Sequence, residues 1–132
     1  MNLIVNPEIL NTERLYRSIF LQWWNFEQSQ ISPAAFIDSN GISVDRAENR
    51  RVEDIITSLQ VRFKKLNLKA VVSLTAGQCR RLNTFVFYSR SNRNLYHSSI
   101  WNSETEKQLP ISKAFDLSRA VRFDYIESKL NQ

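Results

Sequence analysis

The chain has 132 residues, 42% of them hydrophobic and 23% charged, with a formal net charge of +5. That balance fits one globular domain, residues 1–132, able to bury a core, and excludes a disordered tail. Two glycines exclude a Gly-rich phosphate loop, one cysteine excludes an internal disulfide and a Cys-based zinc site, and no run reaches the roughly 20 apolar residues of a membrane helix.

The opening MNLIVNPEILNTERL is too short in its apolar run, and too soon acidic, for a secretory signal. With a lone cysteine, it suggests a cytoplasmic protein and a whole small gene product. Residues 14–20 (RLYRSIF) read as an early strand, followed by an irregular aromatic cluster, Trp23-Trp24-Asn25-Phe26. Pro33 interrupts residues 31–37 and demotes them to an edge or loop. Asn40-Gly41 signals a turn into Ile42-Ser43-Val44.

The clearest element follows Asp45. Val52, Ile55, Ile56, Leu59, Phe63 and Leu66 recur at helical spacing, and Asp45 with Glu48 has the spacing of a capping box. This predicts a helix ending near Asn67. Residues 69–74 (KAVVSL) read as a buried strand, and Thr75-Ala76-Gly77 as a turn opening a short helical piece through Leu82. Residues 84–88 (TFVFY) and 95–101 (LYHSSIW) read as strands around a polar loop, 89–94. After a polar connection, Ser112 is expected to cap a second helix through about Arg122, with Ala114, Phe115, Leu117 and Val121 inward. The sum is an α+β domain with a short, mostly antiparallel sheet, four to six strands and two main helices.

Charge is segregated along this framework. Residues 55–103 hold eight bases (Arg62, Lys64, Lys65, Lys69, Arg80, Arg81, Arg90 and Arg93) and no acid, whereas residues 1–54 are net acidic and residues 104–132 are balanced. A one-signed surface attracts polyanions. If one sheet end presents Arg80, Arg81, Arg90 and Arg93 together, arginines can neutralise phosphates while Tyr96 and Trp101 offer stacking faces. Arg62, Lys64 and Lys65 extend that surface. Basic residues late in the helix also complement its dipole, which is the plainer reading for part of the asymmetry.

His97 is the only histidine. On a strand it shares a face with Leu95 and Ser99, and beside an arginine it can serve as a general base in phosphodiester or nucleotide chemistry. A ring hydrogen-bonded to backbone at both nitrogens is the structural alternative. Trp23-Trp24 is a candidate partner-binding anchor, although large aromatics in a small chain are more often core. Cys79 beside Arg80 and Arg81 has two features that lower a thiol pKa, against a default of an inert half-buried thiol.

Leu15-Tyr16-Arg17, Ser32-Pro33-Ala34-Ala35-Phe36, Gly41-Ile42-Ser43-Val44 and then Asn94, His97 and Ile100 together resemble a family of small uncharacterised bacterial proteins. The resemblance spans most of residues 15–122 and implies no activity. It marks Arg17, Ser32, Gly41 and His97 as positions the fold can bring together. Tyr16-Arg17 ahead of Ser-Pro-Ala-Ala is also loosely similar to NAD-binding ADP-ribosyl-transfer folds, in which a late Glu orients the ribose. Glu127 is the late candidate here.

These readings predict a cytoplasmic protein that binds nucleic acid or another polyanion through its acid-free segment. One alternative is an interaction subunit using Trp23 and Trp24. Another is a small nucleotide-directed transferase or nuclease-like enzyme using His97 and Arg17. No metal, cofactor or membrane association is expected.

Overall fold

In the segment RLYRSIF both alternating sets are buried, Leu15 and Ile19 on one side and Tyr16 and Ser18 on the other. A strand buried on both sides needs a sheet neighbour at each edge and a layer on each face. The computed structural model, which describes residues 5–128, supplies all of these. Its strands are β1 (Arg14–Phe20), β2 (Trp24–Asn25), β3 (Gln30–Ile31), β4 (Ile42–Arg46), β5 (Leu68–Thr75), β6 (Phe85–Tyr88), β7 (His97–Trp101) and β8 (Arg122–Ile126). The helices are α1 (Val52–Arg62), α2 (Ala76–Arg81) and α3 (Ile111–Ala120). Six strands form one antiparallel sheet in the order β6-β7-β4-β1-β5-β8, and β2 pairs with β3 apart from it. The fold is α+β.

The two faces carry different layers. Leu15, Ile19, Val44, Val72 and Ile100 meet α2, α3 and the 3-10 turn Pro33–Phe36 in the larger core. Tyr16 and Val71, on the opposite face, meet Ile55 and Leu59 of α1 in a smaller one. Burying a side chain of this size contributes about 1.5–3 kcal/mol. The smaller core involves β1, β5 and β8, so α1 covers only that half of its face.

Several sequence expectations change. The helix expected from Asp45 starts at Val52, because Asp45 and Arg46 continue β4 and find side-chain partners there. Glu48 and Asn49 turn the chain with positive φ, and the Arg51 side chain at the N-cap makes no capping bond. The helix stops at Arg62, short of Asn67, and Leu66 is exposed. α3 begins after Pro110 with no cap from Ser112, and it ends at Ala120, short of the Arg122 expected. RFDYI instead alternates as β8 and pairs with β5. Phe115 is exposed while Ala114 and Leu117 are buried.

Arg14–Phe20 is the strand expected, and the short helix after Thr75 is α2. Asn40-Gly41 is the turn before β4. Gly41 has φ +83°, and a Cβ there would lie 2.4 Å from Trp101 Cδ1, so both backbone and space require glycine. Among the described residues, no helix is long and apolar enough to cross a membrane.

Candidate functional site

Where α1 ends, the sheet face it covers lies open, and a cleft of about 530 Å³ occupies that border. Leu59 and Phe63 form its apolar wall with Phe20 of β1, whose ring meets Phe63 edge-on at 5.3 Å. The polar wall comes from Ser43 and Asp45 of β4, His97 of β7 and the β6–β7 loop residues Arg93 and Asn94. Arg17 and Ser18 of β1 line the space between. An apolar lining with a few convergent polar groups is what a small-ligand site requires.

Arg17 is held by backbone alone. Its Nε and Nη2 donate to the Ala35 carbonyl at 3.1 and 2.8 Å, and Nη1 donates to the Ser43 carbonyl at 3.0 Å. The Ala35 carbonyl sits in the 3-10 turn Pro33–Phe36, which Ser32 caps by accepting from Ala34 N. Among the described residues Arg17 makes no ion pair. Burial pushes its guanidinium down to about 10 against the opposing charge of Asp38, which leaves it cationic at neutral pH. Arg17 is paired with Val72 of the larger core, so its guanidinium projects to that face, opposite Ser18 and His97, and ties the 3-10 turn and β4 to β1. On the cleft face of β1, the Ser18 hydroxyl is buried, at 8% exposure for the residue, and has no hydrogen-bond partner among the described residues. A buried unsatisfied hydroxyl costs about 1–3 kcal/mol, so its place in a cleft calls for a partner.

His97 is held through one nitrogen. Nδ1 lies 2.8 Å from the Ser89 carbonyl and 3.0 Å from Ser89 Oγ, which is 2.6 Å from Ser99 Oγ. A carbonyl only accepts, so Nδ1 carries a proton, and in the neutral ring the lone pair is on Nε2. Nε2 has no hydrogen-bond partner among the described residues, so the expectation of two occupied ring nitrogens is not met. For the same reason His97 does not activate Ser89. Any base chemistry belongs to Nε2.

Asp45 organises the remaining wall. Its buried carboxylate accepts from Arg62 Nη1 and Nη2 at 3.1 and 3.0 Å and from Asn94 Nδ2 at 2.9 Å. The arrangement ties the end of α1 and the β6–β7 loop to β4, and it neutralises Arg62. Net positive charge in the cleft therefore comes from Arg93.

The expected residues divide. His97, Arg62 and Arg93 converge on the cleft, and Arg17 borders it from β1 with its guanidinium turned to the other face. Arg80 and Arg81 belong to α2, in the layer on the other face, where Arg80 donates to Asn11 Oδ1 at 2.7 Å. Arg80 and Arg81 therefore do not share a sheet end with Arg90 and Arg93. Arg90 is exposed on the β6–β7 loop, and Lys64 and Lys65 are exposed beyond α1. The Tyr96 ring is covered by the Arg50 guanidinium at 3.4 Å, which removes it as a free stacking face.

Trp24 is a core residue at 8% exposure, and half-buried Trp23 lies 4.9 Å from the Arg17 guanidinium, so the pair presents no exposed anchor. Ser32 and Gly41 act in turns, outside the cleft. Glu127 pairs with Lys69 at 2.7 Å and does not line the cleft, so the ADP-ribosyl-transfer similarity finds no Arg–Glu site. Cys79 is fully buried, and burial pushes its thiol up to about 12, opposite to the direction its arginine neighbours suggest.

Ser18, Ser43, Asp45 and Asn94 are the cleft residues the sequence reading missed. A small polar residue on the inward face of an apolar strand was the available signal for Ser18. Among the described residues, no three His, Cys, Asp or Glu side chains group to hold a metal ion. No family model, curated protein or solved structure matches the chain.

Proposed function

We propose that the cleft binds a small anionic ligand of the nucleotide class and that His97 exchanges a proton with it. One observation carries this reading: an exposed arginine, Arg93, a buried hydroxyl without a partner and an imidazole with a free Nε2 line one cleft. Arg93 supplies charge for a phosphate, and Ser18 supplies a donor. Phe20, Phe63 and Leu59 supply an apolar wall for a base or ribose.

The chemistry this supports is transfer at phosphorus or at a nucleotide ribose. In the phosphoryl case, Nε2 accepts the proton of an attacking hydroxyl as its oxygen bonds to phosphorus. The bond from phosphorus to the leaving oxygen breaks, and that oxygen takes the proton back from the imidazolium. We also infer a reducing, cytoplasmic setting, since the lone Cys79 has no pairing partner.

The test is titration of the protein with adenosine mono- and diphosphate and inorganic phosphate, followed by NMR and thermal unfolding. Nucleotide is expected to raise the unfolding temperature and to shift the His97 ring resonances. Ser18→Ala is expected to weaken binding. His97→Gln is expected to keep binding and lose any turnover. A wild-type protein that binds no nucleotide and no phosphate would overturn the reading. Binding with unaltered turnover in His97→Gln would remove the proton-transfer role.

A further inference from the structure

The open half of the sheet beside the cleft carries aromatic residues that neither core uses. Strand register decides which face they share. Asp45 pairs with His97 and Ser43 with Ser99, while Phe87 pairs with Ser99 and Phe85 with Trp101. Directly opposed residues project to the same side, so His97, Ser99 and Trp101 of β7 share a face with Phe85 and Phe87 of β6. Asp45 also pairs with Tyr16, which lies under α1, so this is the face that α1 leaves uncovered beyond β1.

Phe85, Phe87 and Trp101 pack on one another, at 5.3 Å for the phenylalanine pair and 4.7 Å edge-on for Phe87 and Trp101. All three are half-buried and belong to neither core cluster. An aromatic shelf thus runs from the edge strand toward His97, on the same face as the cleft.

Its charge is one-signed. β6, β7 and the loop between them contain no acid, Arg90 and Arg93 are exposed on that loop, and Lys107 Nζ lies 5.4 Å over the Trp101 ring. Glu104 and Glu106 come only on the connection after Trp101. Aromatic faces on adjacent strands, beside a cationic cleft, match a ligand that alternates planar rings with anionic links. Duplex hides its rings, and a free mononucleotide has only one.

We propose that the ligand is a single-stranded nucleic acid, with one nucleotide in the cleft and the next stacked on the shelf of Phe87 and Trp101. This rests on the nucleotide reading of the cleft and extends it to a substrate class. Arg93 then meets the phosphate joining the two nucleotides, and Nε2 of His97 faces the sugar-phosphate link.

The experiment measures fluorescence anisotropy of labelled single-stranded RNA and DNA octamers and of the matching duplex, beside adenosine monophosphate binding by calorimetry. Octamers are expected to bind at least about tenfold more tightly than the mononucleotide and than duplex, as base–aromatic stacking implies. Phe87→Ala and Trp101→Ala, checked for folding by circular dichroism, are expected to weaken octamer binding about tenfold and to leave mononucleotide affinity unchanged. Should either variant misfold, the length series from one to eight nucleotides on wild type decides, with affinity expected to rise by the second or third nucleotide. Equal affinity for mononucleotide and octamer overturns the shelf and leaves the cleft reading standing. Binding of neither overturns both.

Discussion

At the scale of single residues, the protein sets charges that are fully paired against charges left open. Arg46 is the paired case. It is 1% exposed, meets Glu13 and Glu48 at 2.8 Å each, and donates to the backbone carbonyls of Asn6 and Glu8. Replacing Arg46 with Met strands Glu13 beside the sheet, and loss of about 3 kcal/mol or more is expected in urea unfolding. Adding Glu13→Gln to that variant should restore part of the loss, whereas equal stability of wild type and Arg46→Met would show that the network contributes nothing. Cys79 is a buried acid whose desolvation outweighs the favourable charge of Arg80. Its folded pKa lies above the ordinary 9.0, so between about pH 9 and 12 the unfolded chain releases a proton that the folded chain keeps. Stability therefore falls as pH rises through that window, and Cys79→Ala should lose less over it than wild type. A thiol that reacts stoichiometrically with a disulfide reagent in the native protein at pH 8 would contradict this.

At the scale of elements, local chemistry and tertiary partners share control unequally. α2 has six residues, too few to persist alone, yet it carries buried Ala76 and Cys79 into the larger core. Its start is fixed by a capping box, in which Thr75 Oγ1 accepts from Gln78 N at 3.1 Å and Gln78 Oε1 accepts from Thr75 N at 2.8 Å. Thr75→Ala should cost about 1 kcal/mol in equilibrium unfolding, and Thr75→Ser should cost much less. Equal losses in the two variants would place the cost in packing of the Thr75 methyl group and not in the cap. α1, by contrast, has no side-chain cap. It is held by Ile55 and Leu59 in the core and by Arg62 on Asp45.

At the scale of the whole molecule, the acid-free segment does not become one basic surface. The sheet divides it, placing Arg80 and Arg81 in the layer with α2 and leaving Arg90 and Arg93 beside the cleft. Single-stranded binding on that side should then depend on salt through few contacts. With Arg90, Arg93 and Lys107 each neutralising one phosphate, a plot of log affinity against log salt should slope at about −2, from about −0.7 per phosphate. A slope steeper than about −4 would bring Arg80 and Arg81 back into the interface. Calorimetric titration at four salt concentrations measures it.

Local pattern was enough for the elements whose signal is contained within a few residues. RLYRSIF, KAVVSL and the Asn-Gly turn have alternation, β-branching or backbone demand that few other conformations satisfy. The α+β class followed from their order. Asp45 shows where this stops: its spacing to Glu48 is that of a helix cap, but a carboxylate goes to the best donors available. Those were the guanidinium of Arg62 and the amide of Asn94, 17 and 49 residues away. β8 was missed for a related reason, since five residues gain their strand energy only from the ladder with β5. The candidate site was half legible. Arg17 and His97 stood out as residue types, but strand alternation turns Arg17 to the other face. The meeting of His97 with Ser18 depends on β1, β4 and β7 being neighbours in the order that strand pairing alone decides. The freedom of Nε2, the unpartnered Ser18 hydroxyl and the uncovered shelf of Phe85, Phe87 and Trp101 are properties of what did not fold against them. Sequence specifies which side chains exist, and only the tertiary structure decides which of them remain unsatisfied.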